Sequence, residues 1–319
     1  MSVPETVTVV GGGVMGLCIA TELKARGIPA AILDQAPGPQ ACSWWAGGML
    51  APWCEGESAE PAVVRHGLGA ADWWRDQGVP VTRNGTLVVS PARDAGALDR
   101  FARRSQGHRT LDAQGIAALE PDLGTRFTRA LFFDSEAHLD PRQALSILSE
   151  SLARTEAATG QVIDCRGLSA RDALRDLRGV RGEMLVIHCP DLTLARPVRM
   201  LHPRMPLYVV PRGDGVFMLG ATMVESGRRG PPTARAVLEL LSAAFALHPA
   251  FAEAEVLELG ADARPAFPDN LPRIRRIGRV IHANGLYRHG FLLAPAVARM
   301  VAEHLQHQTR PEFMDADHD

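Results

Sequence analysis

The sequence predicts an α/β fold: a Rossmann-like nucleotide-binding domain with an inserted α+β domain built on an antiparallel sheet. Three observations predict it. The chain opens on an apolar, β-branched run, Val7-Thr-Val-Val10, followed at once by Gly11, Gly13 and Gly16 in G-x-G-x-x-G spacing. In the middle, strand-like runs at 183–188, 205–210 and 216–220 crowd together, and Arg212-Gly213-Asp214-Gly215 reads as the hairpin turn between the last two. Near the end, a buried-strand pattern at 279–283 and a helical pattern at 295–305 return to the style of the first part.

The first unit has a specific physical reading. The strand of 7–10 leads through the glycines into a helix of about 14–26, which Gly27 closes as a left-handed cap; Ile32 and Leu33 form the next strand, with Asp34 at its end. Gly11 allows a tight turn, Gly13 lets the backbone approach a pyrophosphate, and Gly16 lets helix and strand pack closely. The helix N-terminus, at Val14 and Met15, supplies N–H groups and a partial positive charge for phosphates. Asp34, with Gln35 beside it, stands where a carboxylate can hydrogen-bond a ribose hydroxyl. A dinucleotide is expected here, and the motif alone does not separate NAD from FAD.

Next comes Ala41-Cys-Ser43-Trp-Trp-Ala46-Gly47-Gly48-Met49, small residues that bring the backbone close to something flat or to a neighbouring helix. Trp44, Trp45 and Trp53 read as core or interface anchors. A helical stretch over about 62–77 carries Trp73 and Trp74 on a mixed surface. Strands at 86–90, 130–133 and 161–165 are expected, with helices at 93–106, at 112–119, and from Asp140-Pro141-Arg142 to about 154. The Arg/Asp alternation of 171–181 reads as a solvated face. A helix at 233–246 and a strand at 254–259 close the middle region.

Composition narrows the function. The 319 residues suffice for a sizeable core in one large domain or two. A formal net charge of −2 and a pI near 6.6 argue against a nucleic-acid or membrane-surface role. No run approaches the ~18 apolar residues of a membrane span. The glycine motif begins too early to leave room for a signal peptide, so a cytoplasmic location is expected. Five scattered cysteines without C-x-x-C fit reduced thiols, and with no H-E-x-x-H no metal site is expected.

Several stretches together resemble the D-amino-acid oxidase family of flavoproteins, and within it the glycine oxidases of thiamine biosynthesis. They are Val9-Val-Gly-Gly-Gly-Val-Met-Gly16, Ala46-Gly-Gly-Met-Leu-Ala-Pro52, His138-Leu-Asp-Pro-Arg142, Val162-Ile-Asp-Cys-Arg-Gly167 and Tyr208-Val-Val-Pro-Arg212. Gly220-Ala-Thr-Met223, Arg264-Pro265 and Tyr287-Arg-His-Gly-Phe-Leu-Leu-Ala-Pro295 follow, the first and last of these being the most specific. The resemblance covers nearly the whole chain. It implies an FAD domain made of 1–83, 138–180 and 262–319, and a substrate domain made of 84–137 and 181–261. Some relatives attach flavin through a cysteine near the C-terminus, whereas the last cysteine here is Cys189, so the FAD is expected to be non-covalent.

In that picture Gly11, Gly13, Val14, Met15, Gly16, Asp34 and Gln35 hold the ADP half of FAD. Ser43, Ala46, Gly47, Gly48 and Met49 lie along the pyrophosphate and flavin, and Arg288, Gly290, Phe291, Leu292 and Leu293 frame the isoalloxazine. Arg264 becomes the carboxylate clamp, Tyr208 its hydrogen-bonding partner, and Met223 the side chain that keeps the cavity small. The chemistry agrees, because the Arg fork can bind a planar carboxylate bidentately. On residue type alone, Arg264 and Arg288 read as surface charges, Tyr208 equally as core, and Met223 as core filler. His289, near the flavin, reads as an orienting or packing residue.

The implied reaction is oxidation of the glycine amine to an imine with O₂ reduced to H₂O₂. The imine then hydrolyses to glyoxylate or passes to thiazole synthesis. Hand-off to thiazole synthase and a homotetramer are implied by the same resemblance. The rivals are a relative acting on sarcosine, a D-amino acid or proline, and a dinucleotide-binding protein without oxidase activity. Two departures stand out. The connection between Arg142 and Val162 is short for the family and lacks room for the strand whose backbone touches the adenine. Phe267 stands where the family often has a small hydroxyl residue, which leaves the loop after Arg264 open.

Overall fold

The computed structural model describes residues 4, 6–124, 126–202 and 206–315. Position 205, where the sequence reading starts the strand before the hairpin, lies outside them; the strand runs Leu207–Gly213.

Two sheets organise the chain. The first has six strands, in the order Arg273–Ile277, Val280–Asn284, Gln161–Asp164, Val7–Val10, Ala30–Leu33 and Ala153–Arg154. Its neighbours are parallel except for the hairpin formed by the first two. The run of 7–10 is central and flanked by strands on both edges, so Val7, Thr8 and Val9 are all buried. Helix Val14–Ala25 packs against the last helix, Gly290–His307. Val10, Leu33 and Asp164 all end on one edge of this sheet, the carboxyl edge where such folds bind ligands.

The second sheet has nine strands. Its longest pair is Arg178–His188 with Glu255–Ala266, antiparallel along one edge; Val216–Gly220 and Val224–Glu225 share the other edge. Leu207–Gly213, Val198–Met200, Thr86–Val89, Arg129–Phe133 and Arg109–Asp112 extend the sheet outward. Only the pair of Val198–Met200 with Thr86–Val89 is parallel. Helix Ala234–Leu247 packs on this sheet through Leu240, Ala243, Ala244 and Leu247. The helix Pro141–Glu150 starts as its sequence suggests, with the Asp140 carboxylate accepting from the Arg142 and Gln143 amides.

Several elements differ from the sequence reading. The stretch of 62–77 is two helices, Pro61–Gly67 and Ala70–Asp76, and Gly67 lies under Leu292, where a Cβ would be 2.8 Å from Leu292 Cγ. Trp73 and Trp74 are buried rather than on a mixed surface, and Trp74 Nε1 donates to the Phe291 carbonyl at 2.8 Å. That bond also explains the last helix, which begins at Gly290 and contains Pro295. Proline has no N–H for the carbonyl four residues back, and Trp74 supplies the donor that Phe291 would otherwise lack.

The strand expected at 254–259 continues to Ala266, because Gly260 is a site of close approach and not a break. A Cβ there would sit 2.1 Å from the Trp45 ring. Arg181 is buried, not solvated: it pairs with Glu183 and donates to the carbonyls of Arg228, Gly230 and Pro231. After helix Pro141–Glu150 the connection holds one two-residue strand, Ala153–Arg154, beside Ala30–Leu33. Phe267 is fully buried beneath Gly285, with the Arg275 guanidinium 4.7 Å from its ring centre.

Candidate active site

A cavity of about 580 Å³ runs from the carboxyl edge of the first sheet to the second sheet. At its first end the walls are main chain. Gly11 has φ +119°, and a Cβ there would lie 2.6 Å from the Cys165 carbonyl oxygen; a Cβ on Gly16 would lie 1.9 Å from Gly11 O. The Val14 amide, first in the helix, donates to Ser43 Oγ at 3.0 Å, which caps the helix from the neighbouring loop. Asp34 accepts from the Gly12 amide at 2.5 Å and the Gln35 amide at 2.7 Å, and thereby shapes the glycine loop. Arg154, from the short edge strand, donates to the Asp34 carbonyl at 2.6 Å. The main chain of Gly11, Gly12 and Gly13 and the start of the helix at Val14 and Met15 line this end of the cavity, which fits a pyrophosphate.

In the middle, Ala46, Gly47, Gly48 and Met49 line the cavity with Ser43. Gly48 has φ +73°, and a Cβ on it would lie 2.2 Å from the Leu139 carbonyl oxygen. Gly47 lies under the Tyr208 ring, 3.0 Å from where its Cβ would be. Arg212, to which the sequence reading assigns no role, holds this loop: it donates to Gly47 O at 2.9 Å and Leu139 O at 3.0 Å. Burial pulls its guanidinium down to about 10. The period-two spacing of Tyr208 and Arg212 on one strand was the available signal, since it puts both on one face.

At the far end the walls are side chains. Arg264 reaches across Gly182, where any Cβ would collide with its guanidinium, and donates to Thr222 O at 3.2 Å. Among the described residues no carboxylate pairs with it. Thr222 is fixed in turn by Glu183, through Oγ1 donating to Oε2 at 3.0 Å and accepting from the Glu183 amide at 3.0 Å. Tyr208 packs against Gly220, and burial pushes its phenol up. Met223 is 51% exposed; its Sδ accepts from the Tyr287 hydroxyl at 3.3 Å.

Arg288 lines the same end, but its charge is partly used. Its Nη2 lies 2.8 Å from Glu55 Oε2 and 2.7 Å from Ser58 Oγ. Glu55 was not singled out from the sequence. It is enclosed by Arg288, Arg199 at 3.7 Å and His289 at 3.5 Å. Burial alone would push its carboxyl up, and Arg288, His289 and Arg199 reverse that and hold it at about 2. Burial, with help from Arg288, lowers His289 to about 4 despite Glu55, so the imidazole is neutral near pH 7.

Gly290, Phe291 and Leu292 line the cavity at the N-terminus of the last helix, whereas Leu293 is fully buried in the core behind it. Gly16 likewise lies behind the wall, between helix and strand. The other site positions named from the sequence all line this one cavity. Among the described residues no His/Cys/Asp/Glu group has the makings of a metal site, and no helix is long and apolar enough to cross a membrane.

A main-chain cradle that fits a dinucleotide leads to an arginine without a carboxylate partner among the described residues, as a dinucleotide-dependent enzyme of an anionic substrate requires. The chain belongs to the DAO family of FAD dependent oxidoreductases, which matches over residues 6–157 and 148–304. It is 54% identical to the "Putative thiamine biosynthesis oxidoreductase ThiO" of Rhizobium etli, over 95% of this chain and 97% of that protein. It is 25% identical to the glycine oxidase of Pseudomonas aeruginosa, over 94% of each. The crystal structure of glycine oxidase from Geobacillus kaustophilus shares the fold, with a TM-score of 0.80 at 21% identity over 97% of this chain and 96% of that one. The chain is an FAD-dependent amino-acid oxidoreductase.

Proposed function

We propose that this protein oxidises glycine: glycine, O₂ and water give glyoxylate, ammonia and H₂O₂, or the imine is passed on intact to thiazole formation. The observation that carries this reading is Arg264, a guanidinium in the cavity without a carboxylate partner among the described residues. An amino-acid carboxylate supplies that partner bidentately, and the hydroxyl of Tyr208, in the lining of the same cavity, adds a hydrogen bond. FAD, when held in this cavity, would supply the hydride acceptor for the substrate α-carbon and the outlet of its electrons to O₂. The residues around it hold and orient. Arg288, steadied by Glu55 and Ser58, places one fixed positive charge beside the flavin end. Neutral His289 adds no further charge beside the Arg288–Glu55 pair. The amine of the substrate need only be unprotonated, so no general base is assigned.

The glycine oxidase from Pseudomonas aeruginosa supports the substrate, and the name of the Rhizobium etli relative supports a place in thiamine biosynthesis. Anaerobic mixing of the FAD-loaded protein with millimolar glycine tests the reading. Bleaching of the flavin, followed by peroxide in proportion to glyoxylate when O₂ is admitted, is expected. Protein that keeps its colour would contradict it. Faster reduction by sarcosine or a small D-amino acid in the same assay would reassign the substrate within the family.

A further inference from the structure

A second cavity, of about 290 Å³, lies beside the first, and the two share Met223, Tyr287, Arg288 and His289 as a common wall. We propose that this second cavity is an antechamber through which small dipolar amino acids reach the reactive end, with Met223 and Tyr287 as the partition they displace beside an Arg288 that Glu55 and Ser58 hold in place. The proposal rests on the amino-acid-oxidising role argued above.

The partition is held by weak bonds. Tyr287 O–H donates to Met223 Sδ at 3.3 Å and Arg288 Nη1 to the same sulfur at 3.8 Å, while the Tyr287 and His289 rings meet edge-on at 5.8 Å. A thioether is a poor acceptor and methionine has three rotatable bonds, so these side chains part at little cost. Their backbone stays fixed: Tyr287, at φ +52°, donates its amide to Pro265 O, and His289 donates to Leu286 O, both at 2.9 Å. The partition therefore opens by rotation of side chains, with no loop movement.

The charges match a zwitterion. Glu60 and Asp269 line the outer cavity as carboxylates, the latter paired with Arg273, and Arg288 stands in the wall shared with the main cavity. Arg288 Nε is buried with no hydrogen-bond partner among the described residues, so this guanidinium has a donor to spare for a passing carboxylate. The opposite end of the main cavity, around Asp34 and Ser43, is the expected seat of the ADP half of FAD. A cofactor there fills that end, so substrate enters at the reactive end, where the second cavity adjoins.

The test follows sulfite entering the holoenzyme. Its sulfur lone pair adds reversibly to N5 of bound flavin and bleaches it, with no need for glycine turnover, so failure of the glycine reading leaves this test intact. Ala59→Trp places an indole in the second cavity from a lining residue that is not part of the partition. Adduct formation and dissociation are expected to slow together, by about tenfold or more, with their ratio unchanged. Glu60→Lys, which reverses the outer charge, should speed entry of the anion severalfold at low salt and lose that gain at high salt. Damage to the fold does not produce such a gain. Should Ala59→Trp not fold, Leu271→Trp fills the same cavity and carries the same expectation. Rates unchanged in a folded tryptophan variant and in Glu60→Lys, or a changed ratio without slowing, would overturn the proposal.

Discussion

At the dinucleotide end of the cavity the walls are main chain drawn from one stretch, residues 10–49, joined by Cys165 and Arg166. At the reactive end they are side chains brought from Glu55, Arg199, Tyr208, Met223, Arg264 and Arg288, on strands of the second sheet, one short helix and loops. The first end is built by excluding volume, with glycines where a methyl group would strike a carbonyl oxygen. The second is built by balancing charge: Glu55 is held between Arg199 and Arg288, whereas Arg264 has no carboxylate partner among the described residues. One end should therefore respond to added volume and the other to altered charge.

The largest effect expected is from one methyl group at the first end. Gly16→Ala puts a Cβ 1.9 Å from Gly11 O, a backbone atom that cannot step aside. A loss of roughly 3 kcal/mol or more is expected, read as a lower melting temperature and loss of bound FAD. Unchanged melting and flavin content would break the contrast from its volume side.

Glu55→Gln keeps the volume and removes the charge. It should cost about 2–3 kcal/mol at neutral pH, because two buried guanidinium groups lose their carboxylate. The pH dependence has a definite sign. Glu55 is held at about 2, below its ordinary 4.5, so its contribution is present above about pH 4.5 and disappears as pH falls through 2. Denaturant titrations of both proteins should give a constant gap at higher pH that closes in acid. A gap independent of pH would mean that shape, not charge, is what Glu55 supplies.

The smallest effect sharpens the other side. Asp34→Ala removes an exposed carboxylate that accepts from the Gly12 and Gln35 amides. It should weaken FAD by about 1 kcal/mol, roughly fivefold in Kd, with glycine affinity of the loaded enzyme unchanged. Titration of the apoprotein with FAD checks this.

The two ends also differ in how far they could be read in advance. The glycine loop, its helix and Asp34 lie within thirty or so residues, so local spacing carries their geometry, and the first sheet follows from it. The last helix was harder, because Pro295 reads as a start signal when the Trp74 donor that satisfies Phe291 comes from another part of the chain. At the reactive end no spacing predicts that Glu55 faces Arg199 and Arg288, since single charged residues on separate elements have no local signature. Tyr208, Met223 and Arg264 were nameable only through the resemblance of their short motifs to a family. Arg212 and Glu55 fell outside that help, one within a matched stretch without a role and the other just past the small-residue loop.

The most direct measurement is an anaerobic glycine titration of FAD-loaded Arg264→Met, followed by flavin absorbance. Loss of a charged, bidentate contact is worth about 3 kcal/mol, so half-reduction should need roughly a hundredfold more glycine while the FAD Kd stays as in the parent protein. A variant that loses FAD but keeps its glycine response, or that is reduced at the same glycine concentration as the parent, would contradict the division of the cavity into a backbone end for the cofactor and a charged end for the substrate.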